Sequence, residues 1–397
     1  MKLWYKNLEP DKMVERFTAG LDPFLDLRLA EFDCIASQAH ARMLWKIGIL
    51  TSEEMESLVN ELDHIKKEIN NGKFVIGIDQ EDCHTVIENW LTQKCGEAGK
   101  KIHTGRSRND QILTALRLYE KQSLTDLKAV LGKLRETLLM AQDKYKDMPM
   151  PGYTHMQRAM PTTVGLWLGS FIESLDDDFI LLDAVSSLIN KSPLGTAAGF
   201  GVPILEIDIE MTSKDLGFLK PMANPIYAQM SRGKLESSIL HLLSQVLYTL
   251  NKLATDIMLF ATYEFGFISL PAQLCTGSSV MPQKKNQDPV ELVRAYYHVI
   301  VAEEQKVKGI IGNLPSGYNR DLQLTKEPLF KSLDVTFDCV EIMTLIVSQM
   351  QLKKNKLTKA ISPEMYATQE TYTLVKQGVP FREAYQKIGK RYRSKFH

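Results

Sequence analysis

Five long runs of apolar residues, spaced three and four apart, dominate the chain after residue 107 and constrain its fold most strongly. Such spacing places apolar side chains on one face of an α-helix, so each run predicts a long helix. The runs occupy residues 124–138, 168–189, 239–260, 290–300 and 330–347. In the third run no Asp, Glu, Lys or Arg stands between Glu236 and Lys252, so this helix must be surrounded by protein. Five helices would bury it only partly, and we therefore expect further copies of the chain to complete the bundle.

The segments on either side of these runs are more polar, but their patterns are helical too. Thr51-Ser-Glu-Glu54 resembles a capping box ahead of an amphipathic run. Near the other end, Gly378-Val-Pro380 breaks the helical pattern. The sequence therefore predicts an all-α protein with three domains. These are an N-terminal helical domain at 1–107, a central bundle of five long helices at 108–347 and a short C-terminal helical domain at 348–397.

The amino-acid composition limits which kinds of partner the protein is expected to bind. The 397 residues include 48 basic and 48 acidic ones, for a net charge of +0, whereas nucleic-acid-binding proteins carry an excess of Lys and Arg. No uninterrupted apolar run approaches the ~18 residues that a membrane span requires. The first ten residues lack the apolar stretch of a secretory signal. We therefore expect a cytoplasmic protein that binds neither nucleic acid nor membranes.

The cysteine and histidine patterns argue against disulfides and metal sites. The five cysteines are odd in number and no pair has CxxC spacing, while the eight histidines form no HExxH motif. The glycine cluster Gly195–Gly201 lacks both the GxGxxG order and a preceding strand that a nucleotide-binding loop needs. We therefore expect no cofactor and no metal.

Two segments interrupt the helices with residues that packing does not explain. The first, Thr104–Asp110, precedes the first long helix. It is either a helix cap with solvated arginines or an anion site at a helix N-terminus. The second, Pro151–Gln157, places His155 in the loop between the first two long helices. A single loop histidine with no supporting group is more often structural than catalytic.

A third segment, Thr276–Pro289, is rich in Gly, Ser and Lys. One interpretation is a mobile surface loop that ends in a proline at the first turn of the fourth long helix. The other interpretation is a site, because Gly277-Ser-Ser279 can form a nest of backbone N–H groups and Lys284 and Lys285 follow. That combination can hold a carboxylate and lower the proton affinity of a serine hydroxyl.

The third segment resembles the GSSxMPxKxN loop of the fumarase/aspartase superfamily. Its Gln-Lys-Lys-Asn variant, with Gly105-Arg-Ser-Arg-Asn-Asp-Gln111 and Gly152-Tyr-Thr-His155, is similar to the argininosuccinate lyase and δ-crystallin family. The likeness runs from about Arg16 through Arg382. It implies the three-domain, all-α fold of that superfamily and a homotetramer with a multi-helix core and shared active sites. It also implies reversible cleavage of argininosuccinate to arginine and fumarate, in arginine biosynthesis, without a cofactor.

The elimination that this resemblance implies needs a base, an acid and fixed positive charge. A base removes a proton from the carbon β to the leaving nitrogen, and negative charge develops on a carboxylate. By motif position, Ser278 would be the base and His155 the acid, with Glu291 orienting and polarising His155. Lys284 and Asn286 would hold the carboxylate. The reverse assignment, with His155 as base, fits the residue types equally well.

The resemblance further implies a substrate-binding set that reaches both ends of the substrate. Thr18 and Asp22 would lie at the amino-acid end, and His84 would support the site. The residues at the succinyl end and in the last substrate-binding segment would be Ser107, Arg108, Asn109, Thr154, Tyr318, Gln323 and Lys326.

Three departures from the family pattern bear on this interpretation. Gln287 stands where proline is usual, which predicts a local rearrangement before the fourth helix. Segment 224–234 keeps Arg232 but differs around it, near the expected amino-acid half of the substrate. The chain ends at His397, where many relatives continue, so the third domain is either minimal or truncated. Two alternatives stay open: a sister lyase that releases fumarate from an N-acylated or other succinyl conjugate, and a crystallin-like structural protein.

Overall fold

The structure is a computed structural model that describes residues 11–77 and 80–393, and this part of the chain is almost entirely helical. The prediction of an all-α protein is confirmed. The α-helices, in chain order, are α1 Lys12–Ala19, α2 Asp22–Leu25, α3 Ala30–Lys46, α4 Ser52–Asn70, α5 Cys83–Cys95, α6 Glu97–Lys101, α7 Arg108–Tyr145, α8 Val164–Ile189, α9 Ile209–Asp215, α10 Pro225–Met230, α11 Lys234–Phe260, α12 Asp288–Ile311, α13 Lys326–Gln349, α14 Lys354–Lys359, α15 Ala367–Lys376 and α16 Phe381–Arg393.

The strands of the described residues are short and form two-stranded pairs. They are β1 Pro149–Thr154, β2 Gln157–Thr163, β3 Lys191–Ser192, β4 Lys220–Pro221, β5 Ile268–Ser269, β6 Thr276–Gly277, β7 Lys285–Asn286 and β8 Gln351–Leu352. Strands β1 and β2, β5 and β8, and β6 and β7 pair antiparallel, whereas β3 and β4 pair parallel. Short 3-10 helices lie at Asp26–Arg28, Ala272–Leu274, Arg320–Thr325 and Pro363–Tyr366.

Each of the five apolar runs lies within one helix, which confirms the prediction of five long helices. Helices α7, α8, α11, α12 and α13 are 38, 26, 27, 24 and 24 residues long. None of the helices within residues 11–77 and 80–393 is both long and apolar enough to span a bilayer.

Helix α11 is surrounded by protein, as its lack of charge predicts. From Ile239 to Leu250 only His241 and Tyr248 are exposed. A single chain covers most of this helix but leaves one narrow stripe exposed, at Lys234, His241, Tyr248 and Thr255. The expectation that further copies of the chain complete the bundle remains a prediction.

The described chain forms two compact units, and each long helix contributes residues to both of them. Unit 1 comprises the described residues up to Lys128, with Ile180–Ser244 and Val299–Asp334. Unit 2 comprises Ala129–Phe179, Gln245–His298 and the described residues from Val335 onward. The three-domain division by chain position remains a prediction.

Two helix starts show how local sequence positions the elements of unit 1. At α4 the predicted capping box is confirmed, because the Thr51 hydroxyl accepts from the Glu54 N–H and the Glu54 carboxylate accepts from the Thr51 N–H. At α5 the Asp82 carboxylate accepts from the Thr85 N–H at 2.9 Å. This cap fixes the start of the helix that carries His84.

Candidate active site

A cavity of about 120 Å³ in unit 1 brings together six of the residues predicted to bind substrate. The predicted residues in its wall are Asp22, His84, Arg108, Asn109, Tyr318 and Gln323. The rest of the wall consists of Glu81, Asp82, Ile112, Arg232 and Arg320. Seven of its eleven wall residues are acidic or basic.

The start of α7 orients Arg108 and Asn109 toward this cavity. The buried Asp110 carboxylate accepts from the Ser107 N–H at 2.8 Å, and from the Gly195 and Ala197 N–H groups at 3.0 and 2.9 Å. The cap interpretation of this segment therefore holds for Asp110, and the Gly195–Gly201 cluster serves to anchor it. Ser107 lies beside the cavity residues, with its hydroxyl accepting from the Asn109 N–H at 3.3 Å.

Arg108 is already paired with two carboxylates of the cavity wall. Its Nε donates to Asp82 Oδ2 at 2.9 Å, and its Nη1 lies 3.4 Å from Glu81 Oε2. A further contact joins Arg108 Nη2 to Asp82. Burial alone would raise the pKa of Asp82, but the charges of His84 and Arg108 outweigh burial and lower it. The Arg108 guanidinium is therefore fixed in place by carboxylates of the chain, which already serve as its counter-ions.

Arg320 and Gln323 attach the segment around Thr18 to the cavity. Arg320 Nη2 donates to Glu81 Oε1 and to the Thr18 carbonyl, both at 2.8 Å. Gln323 Nε2 donates to the carbonyls of Thr18 and Ala19 at 3.1 Å. The Thr18 hydroxyl itself donates to Val14 within α1, and Thr18 does not line the cavity. Thr18 therefore contacts the cavity residues through its backbone carbonyl and not through its side chain.

Lys326 lies behind the cavity, where it forms a buried triad with two aspartates. It is 0% exposed, with Nζ 2.7 Å from Asp22 Oδ1 and 2.6 Å from Asp26 Oδ1. Burial raises the pKa of Asp22 to about 6, against the opposing attraction of Lys326. Lys326 thus positions Asp22, which does line the cavity.

His84 is buried beside the carboxylate of Asp33. It is 1% exposed, and its Nδ1 lies 3.1 Å from Asp33 Oδ1. Burial would lower the pKa of His84, but the Asp33 carboxylate outweighs burial and raises it to about 9. The Nε2 atom of His84 has no hydrogen-bond partner among the described residues.

Possible metal ligands in the described part of the chain cluster at Asp26, Cys83 and His84. Their ligand atoms lie within 4.8 Å of one another. A cation there would meet the Lys326 ammonium, 2.6 Å from Asp26, and a His84 ring whose raised pKa keeps it protonated. Metal ligation needs a neutral imidazole, so this cluster favours an ion-pair network over a metal.

The β1–β2 hairpin of unit 2 carries Thr154 and His155. His155 and Met156 form its two-residue turn, with φ of 52° and 60°, and Thr154 pairs with Gln157. Tyr153 anchors the hairpin through its ring, whose centroid is 5.7 Å from that of Phe265. Thr154 and His155 are exposed, so the turn presents the histidine to its surroundings.

The loop that carries Ser278 is closed by β6 and β7. Thr276 pairs with Asn286, and the Asn286 side chain donates to the Gly277 carbonyl at 3.3 Å. The Ser278 hydroxyl oxygen accepts from the N–H groups of Val280 and Met281 at 3.3 and 3.1 Å. Two donors aimed at this oxygen favour its deprotonated form.

Lys284 is exposed within this loop, and Glu291 is exposed on the first turns of α12. Where proline is usual, the Gln287 carbonyl accepts from the N–H groups of Val290 and Glu291 at 2.9 and 3.1 Å and starts α12. Within the described single chain, no hydrogen bond or ion pair joins His155, Ser278 and Glu291 to each other. The proposed catalytic groups of unit 2 are therefore not in direct contact with one another within the described chain.

Of the five cavity residues outside the predicted set, sequence reasoning noted only Arg232 and missed Glu81, Asp82, Ile112 and Arg320. Glu81 and Asp82 stand directly before His84 in the segment that resembles the family, and Arg320 stands within the Gly317–Lys326 segment. Their position next to residues of a matched segment could have predicted that they lie in the cavity. The sequence could not predict which arginine pairs with which carboxylate, since Glu81 and Arg320 are 239 positions apart.

A family model and several known proteins match this chain over most of its length. The family model described as "Lyase" matches residues 6–301. The argininosuccinate lyase of Thermotoga neapolitana is 46% identical over 391 residues, covering 98% of each chain, and that of Phocaeicola vulgatus is 42% identical, covering 98% of this chain and 87% of its own.

Solved structures share the fold. An EDDS lyase in complex with formate has a TM-score of 0.81 at 24% identity, covering 96% of this chain and 76% of its own. The class II fumarase of Schistosoma mansoni has a TM-score of 0.77 at 17% identity, covering 94% and 91%. With relatives at this identity over nearly the whole length, the chain belongs to the argininosuccinate lyase family of the fumarase/aspartase superfamily.

Proposed function

We propose that the protein cleaves argininosuccinate reversibly to arginine and fumarate, as an argininosuccinate lyase of arginine biosynthesis. The observation that carries this proposal is the 46% identity to an argininosuccinate lyase over 98% of both chains. The charged cavity of unit 1 supports it, because it gathers six residues of the expected substrate-binding set.

The reaction is an elimination across a C–N bond. A base removes a proton from the carbon β to the leaving nitrogen, electrons pass toward the adjacent carboxylate, and an acid protonates the departing guanidine. Ser278 is the proposed base, because two backbone N–H groups are aimed at its hydroxyl oxygen. His155, presented on its turn, is the proposed acid and Glu291 its polarising partner. The assignment with His155 as base remains the alternative.

The developing negative charge needs fixed donors and cations. Lys284 and Asn286 supply these next to Ser278 in the same loop, and Ser107, Arg108, Asn109 and Thr154 complete the proposed succinyl end. Thr18, Asp22, His84, Tyr318, Gln323 and Lys326 form or support the proposed amino-acid end.

The separation of the catalytic groups supports an oligomeric site. His155 and Ser278 make no hydrogen bond with each other in the described chain, so a second copy supplies the missing group in our proposal. A homotetramer with sites shared between subunits, and location in the cytoplasm, accordingly stay proposals.

The test is release of fumarate, followed by its ultraviolet absorbance when the purified protein meets argininosuccinate. We expect steady release by the wild type and none by Ser278→Ala. Release only from an N-acylated or nucleotide conjugate would replace this proposal with a sister lyase. No release from any succinyl conjugate would favour a structural protein.

A further inference from the structure

Among the described residues, one cation in the wall of the unit 1 cavity has no carboxylate within ion-pair distance. Its wall carries three carboxylates, of Asp22, Glu81 and Asp82, and three arginines. Asp82 and Glu81 pair with Arg108 and Arg320, and Asp22 pairs with Lys326. Among the described residues no carboxylate lies within 4.0 Å of the third arginine, Arg232.

Arg232 is also deeply buried. It is 3% exposed, and its Nε and Nη1 atoms have no hydrogen-bond partner among the described residues. Its guanidinium carbon lies 5.2 Å from the centre of the Tyr318 ring, which shields one face without accepting its N–H groups. Burial outweighs the attraction of Tyr318 and Glu236 and lowers the pKa of the guanidinium.

The other buried arginines show how unusual this is. Arg117 Nη1 lies 3.2 Å from Glu236 and also contacts Glu120. Arg106 lies 3.7 Å from Glu88 and donates to the Ser37 hydroxyl at 2.8 Å. Burying a charge without partners is costly, so an unpaired arginine in a cavity wall indicates that an anion completes it.

The proposed substrate supplies such an anion. Argininosuccinate has two carboxylates in its succinyl half and a third, the α-carboxylate, in its amino-acid half. The proposed residues of the amino-acid end include two cations, and each already has a carboxylate partner: Lys326 lies between Asp22 and Asp26, and His84 Nδ1 lies 3.1 Å from Asp33 Oδ1. Among the residues assigned so far, the third carboxylate therefore has no cation that lacks a carboxylate partner.

We propose that Arg232 binds the α-carboxylate of the amino-acid half and makes the protein specific for arginine over the corresponding amine. This inference rests on the proposed function. Arg232 lines the same cavity as Asp22, Tyr318 and Gln323, and it also lines the neighbouring cavity of about 200 Å³. A substrate without the α-carboxylate would leave a charged group buried and unpaired, and the site would reject it.

The reverse reaction tests this directly. Arginine and agmatine differ by the α-carboxylate alone, so each is offered with fumarate to wild type and to Arg232→Gln, and kcat/KM is measured. We expect the wild type to prefer arginine, and Arg232→Gln to lower that preference by about 10- to 100-fold, as for loss of a hydrogen bond to a charged group. Most of the loss should appear with arginine. An equal loss with both amines would overturn the proposal.

Two further variants separate recognition from folding. Arg232→Lys keeps the charge but shortens the reach, and should restore part of the arginine preference. Gln229→Leu is the matched control: Gln229 is buried and unpaired close by, in the wall of a neighbouring cavity of about 200 Å³, but not in the substrate cavity. It should leave the preference unchanged. If Arg232→Gln does not fold, Arg232→Lys decides, and an unaltered preference in it would refute the proposal.

Binding without turnover distinguishes failure of this inference from failure of the proposed function. Titration calorimetry of the intact protein should show L-arginine binding more tightly than agmatine, and Arg232→Gln should remove the difference. If the wild type releases no fumarate but still prefers arginine in calorimetry, the proposed function fails and the role of Arg232 stands. If fumarate is released and arginine and agmatine bind equally, the role of Arg232 fails alone.

Discussion

The cavity of unit 1 and the two loops of unit 2 are built in opposite ways. The cavity residues are mostly buried and fixed by ion pairs, such as Lys326 between Asp22 and Asp26. The proposed catalytic residue His155 lies exposed at a hairpin turn, and Ser278 lies in a loop closed by two short strands. The proposed substrate cavity is thus organised within one chain, whereas the proposed catalytic groups make no direct contact with one another among the described residues.

Removal of the proposed base has the largest expected effect and tests the catalytic half of this comparison. Ser278→Ala should lower kcat by about a thousandfold with little change in KM, because its hydroxyl acts mainly in the transition state. Steady-state release of fumarate measures both constants. Ser279→Ala, the exposed neighbour, is the control and should stay near wild type. More than about a tenth of wild-type kcat in Ser278→Ala would exclude this serine as the base.

The buried ion pairs of the cavity predict a large loss of stability. Lys326→Met leaves Asp22 and Asp26 buried without their cation and should lower the free energy of unfolding by about 3–5 kcal/mol. Urea unfolding followed by circular dichroism measures it. Lys128→Met breaks an exposed pair with Asp183 and should cost about 0–1 kcal/mol. Equal costs for the two variants would show that the cavity is not held by its ion pairs.

Mixing two inactive variants tests whether the catalytic loops meet between chains. Ser278→Ala and His155→Ala are dissociated, mixed equally and reassociated. If each site takes its serine and its histidine from different subunits, roughly a quarter of the sites should regain both groups. Activity near a quarter of wild type is therefore expected. No recovery, with mixed oligomers shown by mass spectrometry, would mean that both loops serve the same site in one chain.

The smallest effect concerns pH. The pKa of His84 is raised from 6.5 to about 9 in the folded protein, so the imidazolium stabilises the fold. That stabilisation is complete below pH ~6.5 and is lost as pH rises through about 9, on the order of 3 kcal/mol. The urea midpoint should fall over this window in wild type, and much less in His84→Gln. An equal fall of the urea midpoint in both proteins would show that groups other than His84 cause the loss of stability.

Sequence reasoning was strongest where contacts are local. The five long helices follow from periodicity, and the start of α4 follows from Thr51 and Glu54, three residues apart. The motifs also located the segments of the cavity. The pairing of charges was beyond reach, because Lys326 and Asp26 are 300 positions apart and the choice among partners depends on the tertiary fold.

Because the sequence does not show which charged side chains pair, some residues differ in the structure from their predicted roles. Lys326 and Arg108 were both expected to bind substrate, yet each already has carboxylate partners in the folded chain. Thr18 was expected at the amino-acid end of the substrate, but its hydroxyl donates within α1 and the residue does not line the cavity. Arg232, in a segment noted mainly for its departures, is the buried arginine left unpaired. The proposed roles of these residues stay predictions.

The turn at His155 and Met156 has a consequence for how this protein can evolve. Two bulky residues in left-handed backbone conformations cost about 1–2 kcal/mol each, and two-residue hairpin turns of this kind favour Asn and Gly. Directed evolution for heat resistance alone would therefore enrich glycine at both positions. Under selection for activity as well, the proposed role of His155 as the acid would constrain that position, whereas Met156 would be free to change. The hairpin would then give up turn stability to keep the proposed acid in place.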